Sequence, residues 1–405
     1  MSTNLTELEK VSSSSHLPPR RGLVRLLVFL LSFVISAAAF LGFDWIYSSA
    51  LQRTSEASLN PNLCRVPDPV RHHALKPNCT SRVGWGHEKY EIFTNSLGFR
   101  DERIRPVPLS VPRPRILLLG DSFTEGELAW PDSYAGKLAA RFPQYDVLNG
   151  GVAAYSASNY LNVARALLAA GYDIDEVIVF IDMADVHFEA AFYRDVDSSG
   201  AVTGPRQEYR IVPWLTRLRL YIAGHLLITD DILDFFQRRL IAHGYYDAVS
   251  ATDEEWAAWT YRRVNETDPF PTGFAPLGVE GGLAKEMVKM NLLWEELAKQ
   301  NIPIAVVVYP YPGQVIHDSA DSRQVRIWRE WCAGKCKRFI SLFPVFLAVK
   351  GECPRTQPGC WYPKLFIFGD RHFSPAGNDL VAAAVIQSLT EKPPAKRVAS
   401  TALGY

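Results

Sequence analysis

From residue 113 onward the chain alternates short, wholly apolar runs with longer amphipathic ones, and few architectures accept that order. Ile116–Leu119 reads as a buried strand, Tyr134–Phe142 as a helix, and Val147-Leu148 as a short strand ending at Asn149-Gly150-Gly151. A helix over Asn159–Ala170 and the apolar strand Val177–Ile181 follow. The rhythm returns with a helix over 283–299, the strand Ile304–Tyr309 ending at Pro310, a helix over Gln324–Cys332, a strand over Phe339–Phe343 and a last helix from about Pro375 to Leu389. Strands that are apolar throughout must be covered on both faces, and strands separated by helices run parallel. The pattern predicts an α/β domain of three layers, with a parallel sheet between helices.

Two stretches depart from this rhythm. Residues 187–280 carry an Arg- and Leu-rich amphipathic section at 214–241 and several tryptophans but no clear strand, which predicts a mainly helical insertion over the sheet's edge or the site. Residues 48–112 hold prolines from Pro61 to Pro112 with little periodicity and read as a stem packed over the main domain. Within the stem, Phe93-Thr-Asn-Ser-Leu-Gly-Phe-Arg-Asp101 has the look of a short strand and turn.

The N-terminal region bounds where the domain works. Leu26 to Phe43 contains no charged residue, and after Asp44 the apolar character resumes with Trp45, Ile46 and Tyr47. About 20 such residues in a helix span a bilayer core. Arg20, Arg21 and Arg25 just before it predict a cytoplasmic N-terminus. The expected organisation is a cytoplasmic tail over 1–25, polar and serine-rich through 19, then a transmembrane anchor over 26–47 and an extracytoplasmic stem over 48–112. The domain follows over 113–390, with its insertion at 187–280, and a C-terminal tail over 391–405. Ala37-Ala38-Ala39 also offers a cleavage site for a signal peptide, and a buried core helix is the third reading. Anchor and signal peptide both export the body, into the periplasm or beyond.

Six cysteines agree with export, in an early pair, Cys64 and Cys79, and a late group, Cys332, Cys336, Cys353 and Cys360. We expect Cys64 to pair with Cys79 and two bonds to form within the late group; a zinc site from the late four is the rival, but it lacks paired C-x-x-C spacing. Sequons stand at Asn78 and Asn265. The formal net charge is zero, which gives no electrostatic footprint for nucleic acid and suits a neutral ligand such as carbohydrate.

The strand Arg115–Leu119 runs directly into Gly120-Asp121-Ser122-Phe-Thr-Glu-Gly126. A sharp strand-to-helix turn exposes a serine hydroxyl where backbone N–H groups can converge on a developing oxyanion. Such a serine needs a histidine and an orienting carboxylate, and Phe368-Gly-Asp370-Arg-His372-Phe-Ser-Pro supplies both. In an extended segment residues i and i+2 point the same way, so Asp370 can reach Nδ1 of His372 while Nε2 faces Ser122. Without that convergence Gly-Asp-Ser is a turn, and Asp370 and His372 are solvated loop residues.

These blocks, in this order, resemble the SGNH/GDSL hydrolase family. Gly120-Asp121-Ser122 resembles the block that carries the family's nucleophile. Asn149-Gly150-Gly151 resembles the Asn-x-Gly block whose glycine N–H serves the oxyanion, a role that falls to Gly151 beside Ser122 N–H. Asp370 and His372 match the last block. The resemblance covers roughly 113–186 and 283–390 and implies a flavodoxin-like sheet and serine ester chemistry with no metal or organic cofactor.

Two positions depart from the family pattern. Its third block, Gly-x-Asn-Asp, is represented by Asp182-Met183-Ala184-Asp185, so alanine stands where the family has an oxyanion-donating Asn. The last block is Asp-x-His rather than Asp-x-x-His, a form similar to exported SGNH-like proteins of polysaccharide O-acetylation, including the alginate acetylation group. That likeness implies an acylated glycan substrate and a membrane-bound O-acyltransferase as partner, with esterase and acyltransferase both open. A catalytically weak carbohydrate-binding or assembly protein is the alternative, and Ala184 favours it.

Asp182 and Asp185 close a strand at the end where ligands collect, so they touch substrate or cap the following turn. Tyr309-Pro-Tyr-Pro312 either lines a carbohydrate cleft, Tyr309 foremost, or turns the chain after its strand. Arg100 binds an anion or forms a structural ion pair. His72 and His73 have no spaced partners for a metal, and His187, His225, His243 and His317 stand alone.

Overall fold

The computed structural model describes residues 20–54, 64–85, 88–196, 200–204, 225–243, 251–261, 272–367 and 370–391, with 218, 221 and 222. The chain divides into two compact units, residues 1–56 with 212–233, and residues 57–211 with 234–405. Twelve strands occur among the described residues: β1 (Arg65–Asp68), β2 (His72–Leu75), β3 (Thr80–Trp85), β4 (Glu88–Thr94), β5 (Arg100–Asp101), β6 (Arg115–Leu119), β7 (Asp146–Asn149), β8 (Glu176–Ile181), β9 (Arg194–Asp195), β10 (Val202–Thr203), β11 (Ile304–Val308) and β12 (Arg338–Ser341).

Eight of them form one sheet in the order β12-β11-β8-β6-β7-β5-β4-β3. From β7 to β12 all neighbours are parallel, with Leu117 opposite both Leu148 and Val177, and Val306 opposite both Val179 and Phe339. Counting only the parallel strands in chain order, the arrangement is 2-1-3-4-5, the flavodoxin-like order, and its switch point lies between β6 and β8.

Successive residues of a strand face opposite sides, so one strand feeds two cores. Ile116, Leu118, Ile178, Phe180, Ala305 and Val307 pack under the helices Tyr134–Arg141 and Pro375–Glu391. Leu117, Leu119, Val177, Val179, Val306 and Val308 pack under the helices Ala157–Ala169, Gly278–Lys299 and Arg323–Cys332. The three predicted layers are present.

The stretch read as a stem over 48–112 differs from expectation. Its strands β3, β4 and β5 add antiparallel pairings beyond β7, making the sheet mixed. Pairing to an edge requires only backbone groups, so these strands need no apolar run to announce them. A disulfide, Cys64–Cys79, closes the turn region before β3. The late cysteines form Cys332–Cys336 and Cys353–Cys360.

Within 187–280 the described elements include helices over Leu227–Ala242 and Ala251–Tyr261 and the small pair β9–β10. The first unit contains the helix Arg20–Thr54, whose segment Val24–Ala50 is the one described helix long and apolar enough to cross a membrane. Asn265 lies outside the described residues.

Candidate active site

Strand β6 ends at Leu119, and the helix Ser122–Glu125 begins shortly after it, at the switch point of the sheet. Asp121 caps it: its Oδ1 accepts from Phe123 N–H at 3.0 Å. Both glycines that flank this turn are required for close approach. A Cβ on Gly120 would stand 1.9 Å from Thr124 Oγ1, and one on Gly151 would stand 2.5 Å from Thr124 Cβ. Tyr134 OH donates to Thr124 Oγ1 at 2.6 Å and Asn149 Nδ2 to Thr124 O at 2.7 Å, fixing the short helix from below.

The segment after the last parallel strand brings the histidine over this turn. Phe366 bridges to Phe373, and Ile367 N–H donates to His372 O at 2.7 Å. Asp370 Oδ1 accepts from His372 N–H at 2.8 Å and from its Nδ1–H at 2.5 Å. His372 Nε2 lies 2.7 Å from Ser122 Oγ. Its ring also packs on Phe123, centroids 4.6 Å apart. The three side chains singled out in sequence thus converge, with a tautomer fixed by Asp370 that leaves Nε2 to the serine.

Carboxylates govern the electrostatics here. Burial alone would lower the His372 pKa, but Asp370, Glu127 and Asp121 outweigh it and raise the value to about 9. Glu127 itself is buried, which raises its pKa, against the lowering influence of His372 and Arg65. It accepts a hydrogen bond from Tyr90 OH at 2.9 Å. Behind the serine, Asp121 and Asp182 hydrogen-bond to each other, and burial followed by their mutual repulsion pushes Asp121 well up. Such a pair holds one proton between two acids. Tyr309 OH lies 3.1 Å from Asp121 Oδ1 and 3.3 Å from Asp182 Oδ2.

Several other candidate residues are buried or already engaged in this arrangement. Asp182 is buried and its Oδ1 accepts from Ala184 N–H at 2.7 Å, so it caps the turn rather than lining a cleft. Asp185 is buried as well, with Tyr160 OH donating to it at 3.0 Å. Tyr309 has no exposed ring face for a sugar, because the strand that leads to it is covered on both sides. Gly151 N–H donates to Asn149 Oδ1 at 3.1 Å, so the oxyanion donor assigned to it by resemblance is already engaged. Ser122 N–H, at the first position of its helix, has no intrahelical acceptor.

Arg100 is structural, but through carbonyls rather than an ion pair. Its guanidinium donates to Glu125 O at 2.8 Å and to the carbonyls of Gly126 and Leu128, which fixes the loop carrying Glu127. Arg65 pairs with Glu125 at 2.8 Å, and Glu125 also accepts from Ala153 N–H. His73 Nε2–H donates to Ala153 O at 2.8 Å, and its Nδ1 lies 2.9 Å from His72 Nδ1, so both rings pack into this wall. Among the described residues no group of three or more His, Cys, Asp or Glu could hold a metal ion.

Sequence reading missed Glu127, Asp121 as half of an acid pair, and Arg371. The Arg371 guanidinium lies over Trp256 at 5.3 Å and Tyr311 at 5.9 Å, beside His372 in the chain. The spacing Ser122 to Glu127 gave no signal, since it depends on Gly126 turning at φ +87°.

Comparison with solved structures finds similar chains at low identity. A GDSL-like lipase from Bacteroides thetaiotaomicron is 13% identical, with a TM-score of 0.33, covering 70% of this chain and 92% of that one. A member of the lipolytic G-D-S-L family from Veillonella parvula is 11% identical, with a TM-score of 0.35, covering 68% of this chain and 98% of that one. An acetylxylan esterase from Geobacillus stearothermophilus, in a catalytic mutant form, is 13% identical, with a TM-score of 0.36, covering 70% and 97%. No family model and no curated protein matches the chain.

Proposed function

We propose that the protein is a serine-dependent ester hydrolase or O-acyltransferase of SGNH type. The observation that carries this reading is the relay Ser122–His372–Asp370, with 2.7 Å between Oγ and Nε2 and 2.5 Å between Nδ1 and Oδ1. Ser122 Oγ attacks the ester carbonyl and its proton passes to His372 Nε2. The tetrahedral oxyanion lies at the N-terminus of the helix Ser122–Glu125, where Ser122 N–H faces it; Gly151 N–H joins only by releasing Asn149. The leaving alcohol takes the proton from Nε2 and an acyl-serine remains. Water or a sugar hydroxyl, deprotonated by His372, then removes the acyl group. Asp370 orients the ring throughout.

The substrate we propose is an O-acyl group, acetyl foremost, on an envelope or extracellular polysaccharide. The body would lie on the periplasmic side of a single anchor, beside a membrane-bound O-acyltransferase. The Asp-x-His block, three disulfides and the helix at Val24–Ala50 support that setting. A second reading, a weakly catalytic carbohydrate-binding protein, is favoured by Ala184 in place of the donor Asn and by the engaged Gly151 N–H.

Full-length protein in detergent distinguishes the two. Serine-dependent turnover of p-nitrophenyl acetate and covalent labelling by a fluorophosphonate, both abolished in Ser122→Ala, are the expected results. Turnover and labelling unchanged by Ser122→Ala, or absent from the parent, refute the enzyme. Oligosaccharide acceptors with mass spectrometry then separate transfer from hydrolysis.

A further inference from the structure

We propose that the helix Leu227–Ala242 is a second membrane contact, lying on the lipid surface with its start fixed to the outer end of the spanning helix. The inference rests on reading Val24–Ala50 as a membrane span. Asp44 is the lone acid between Arg25 and Glu56, and the structure gives it a task. Its carboxylate accepts from Ile228 N–H at 3.0 Å, Thr229 N–H at 2.7 Å and Thr229 Oγ1–H at 2.6 Å. Ser48 Oγ donates to Asp44 at 3.1 Å and accepts from Leu227 N–H at 2.9 Å. The first N–H groups of a helix have no intrahelical acceptor, so Asp44 and Ser48 cap this one from another segment of chain. Both capping residues are buried by the contact.

The cap also sets the depth. Trp45 and Tyr47 follow closely on Asp44 and remain exposed, and such rings collect at the membrane–water boundary. The helix therefore begins at that boundary. At 3.6 residues per turn, Ile228, Ile232, Leu233, Phe235, Phe236 and Leu240 share one arc of roughly 160°. Of these, Ile232, Leu233, Phe235, Phe236 and Leu240 are exposed as large apolar side chains. Arg239 falls inside the arc but folds over the Phe235 ring at 5.4 Å, the posture of a cation whose stem stays with the apolar side. Asp230, Asp231 and Gln237 occupy the opposite arc. An amphipathic helix with aromatic residues on its apolar face, starting at the interface, suits the headgroup–acyl boundary.

The test uses the full chain reconstituted in phosphatidylcholine–phosphatidylglycerol nanodiscs, with spin labels on single added cysteines and the three disulfides retained. Labels replace Phe236 and Leu240 on the apolar arc, Asp231 on the polar arc, and Phe33 within the span. Collision with oxygen is expected to exceed collision with a water-soluble nickel chelate several-fold at Phe33, Phe236 and Leu240, with the reverse at Asp231. A lipid signal at Phe33 with an aqueous signal at Phe236 and Leu240 overturns the inference and leaves the anchor standing. Low collision with both relaxers at Phe236 and Leu240 shows protein covering the face and overturns it too. An aqueous signal at Phe33 removes the anchor and the inference with it.

Discussion

Replacing Glu127 by glutamine removes one negative charge from the surroundings of His372 and leaves an oxygen for Tyr90 OH, which now bonds Glu127 Oε2 at 2.9 Å. His372 must be neutral to take the Ser122 proton. With its pKa raised to about 9, only about one molecule in a hundred holds the neutral imidazole at pH 7. Glu127 follows Asp370 among the carboxylates that raise the value, and it acts by charge without touching the ring's nitrogens. Removing its charge lowers the His372 pKa, so the variant holds more neutral His372 at pH 7 than the parent. The acid limb of kcat/KM for p-nitrophenyl acetate then moves downward from near pH 9, because that limb reports the free enzyme's base. The plateau above it falls modestly, since a less basic imidazole is a poorer base and its cation is less stabilised. The measurement is kcat/KM from about pH 5 to about pH 10.5 for the parent and Glu127→Gln, with Ser122→Ala subtracted. A limb that stays in place or moves upward would refute the assignment of Glu127 to His372.

Three further outcomes follow from the geometry. Gly151→Ala forces a Cβ to within 2.5 Å of Thr124 Cβ and displaces the helix carrying Ser122, so fluorophosphonate labelling should slow at least tenfold with a lowered melting temperature; normal labelling would contradict the packing role. The His372 pKa, about 9, lies above the ordinary 6.5, so its protonation stabilises the fold fully below pH 6.5 and that contribution disappears as pH rises through 9. Melting temperature should therefore fall more steeply across that window in the parent than in His372→Gln, and equal slopes would count against the ion pair. Removing the Cys64–Cys79 bond as a double alanine variant opens a loop of sequence separation 15, expected by loop entropy to cost about 3 kcal/mol in denaturant unfolding, and a loss under about 1 kcal/mol would show the β1–β2 segment holds itself.

What the sequence showed and what it hid divide along a physical line. The parallel strands were legible because burial on both faces demands unbroken apolar runs, and β6, β8 and β11 are buried at every residue. Of β3–β5 only the turn from the end of β4 into β5 was legible, over 93–101; β3 and the start of β4 were not, because an edge pairing is made by backbone atoms and tolerates Thr80, Arg82 and Glu91. The two halves of the relay were legible because Asp370 and His372 are two residues apart and Ser122 follows a strand; their convergence across 250 residues was expected only from the order of the blocks. Asp121 and Asp182 are the contrary case. Each resembles a polar residue of a turn, and each does cap one, through Phe123 N–H and Ala184 N–H. Only the adjacency of β6 and β8 in the sheet, where Leu117 lies opposite Val177, sets the two carboxyls together behind the nucleophile. Their repulsion obliges them to share a proton, and the single charge left helps to hold His372 protonated. A turn that sequence identifies by its serine is thus tuned by an acid pair that topology alone creates. Asp182→Asn, which retains the hydrogen bonds of the cap and leaves the single charge on Asp121, should hold the acid limb near pH 9 or move it upward, opposite to Glu127→Gln, without displacing Ser122. Loss of fluorophosphonate labelling at every pH in that variant would show that Asp182 acts by holding the turn rather than through its charge.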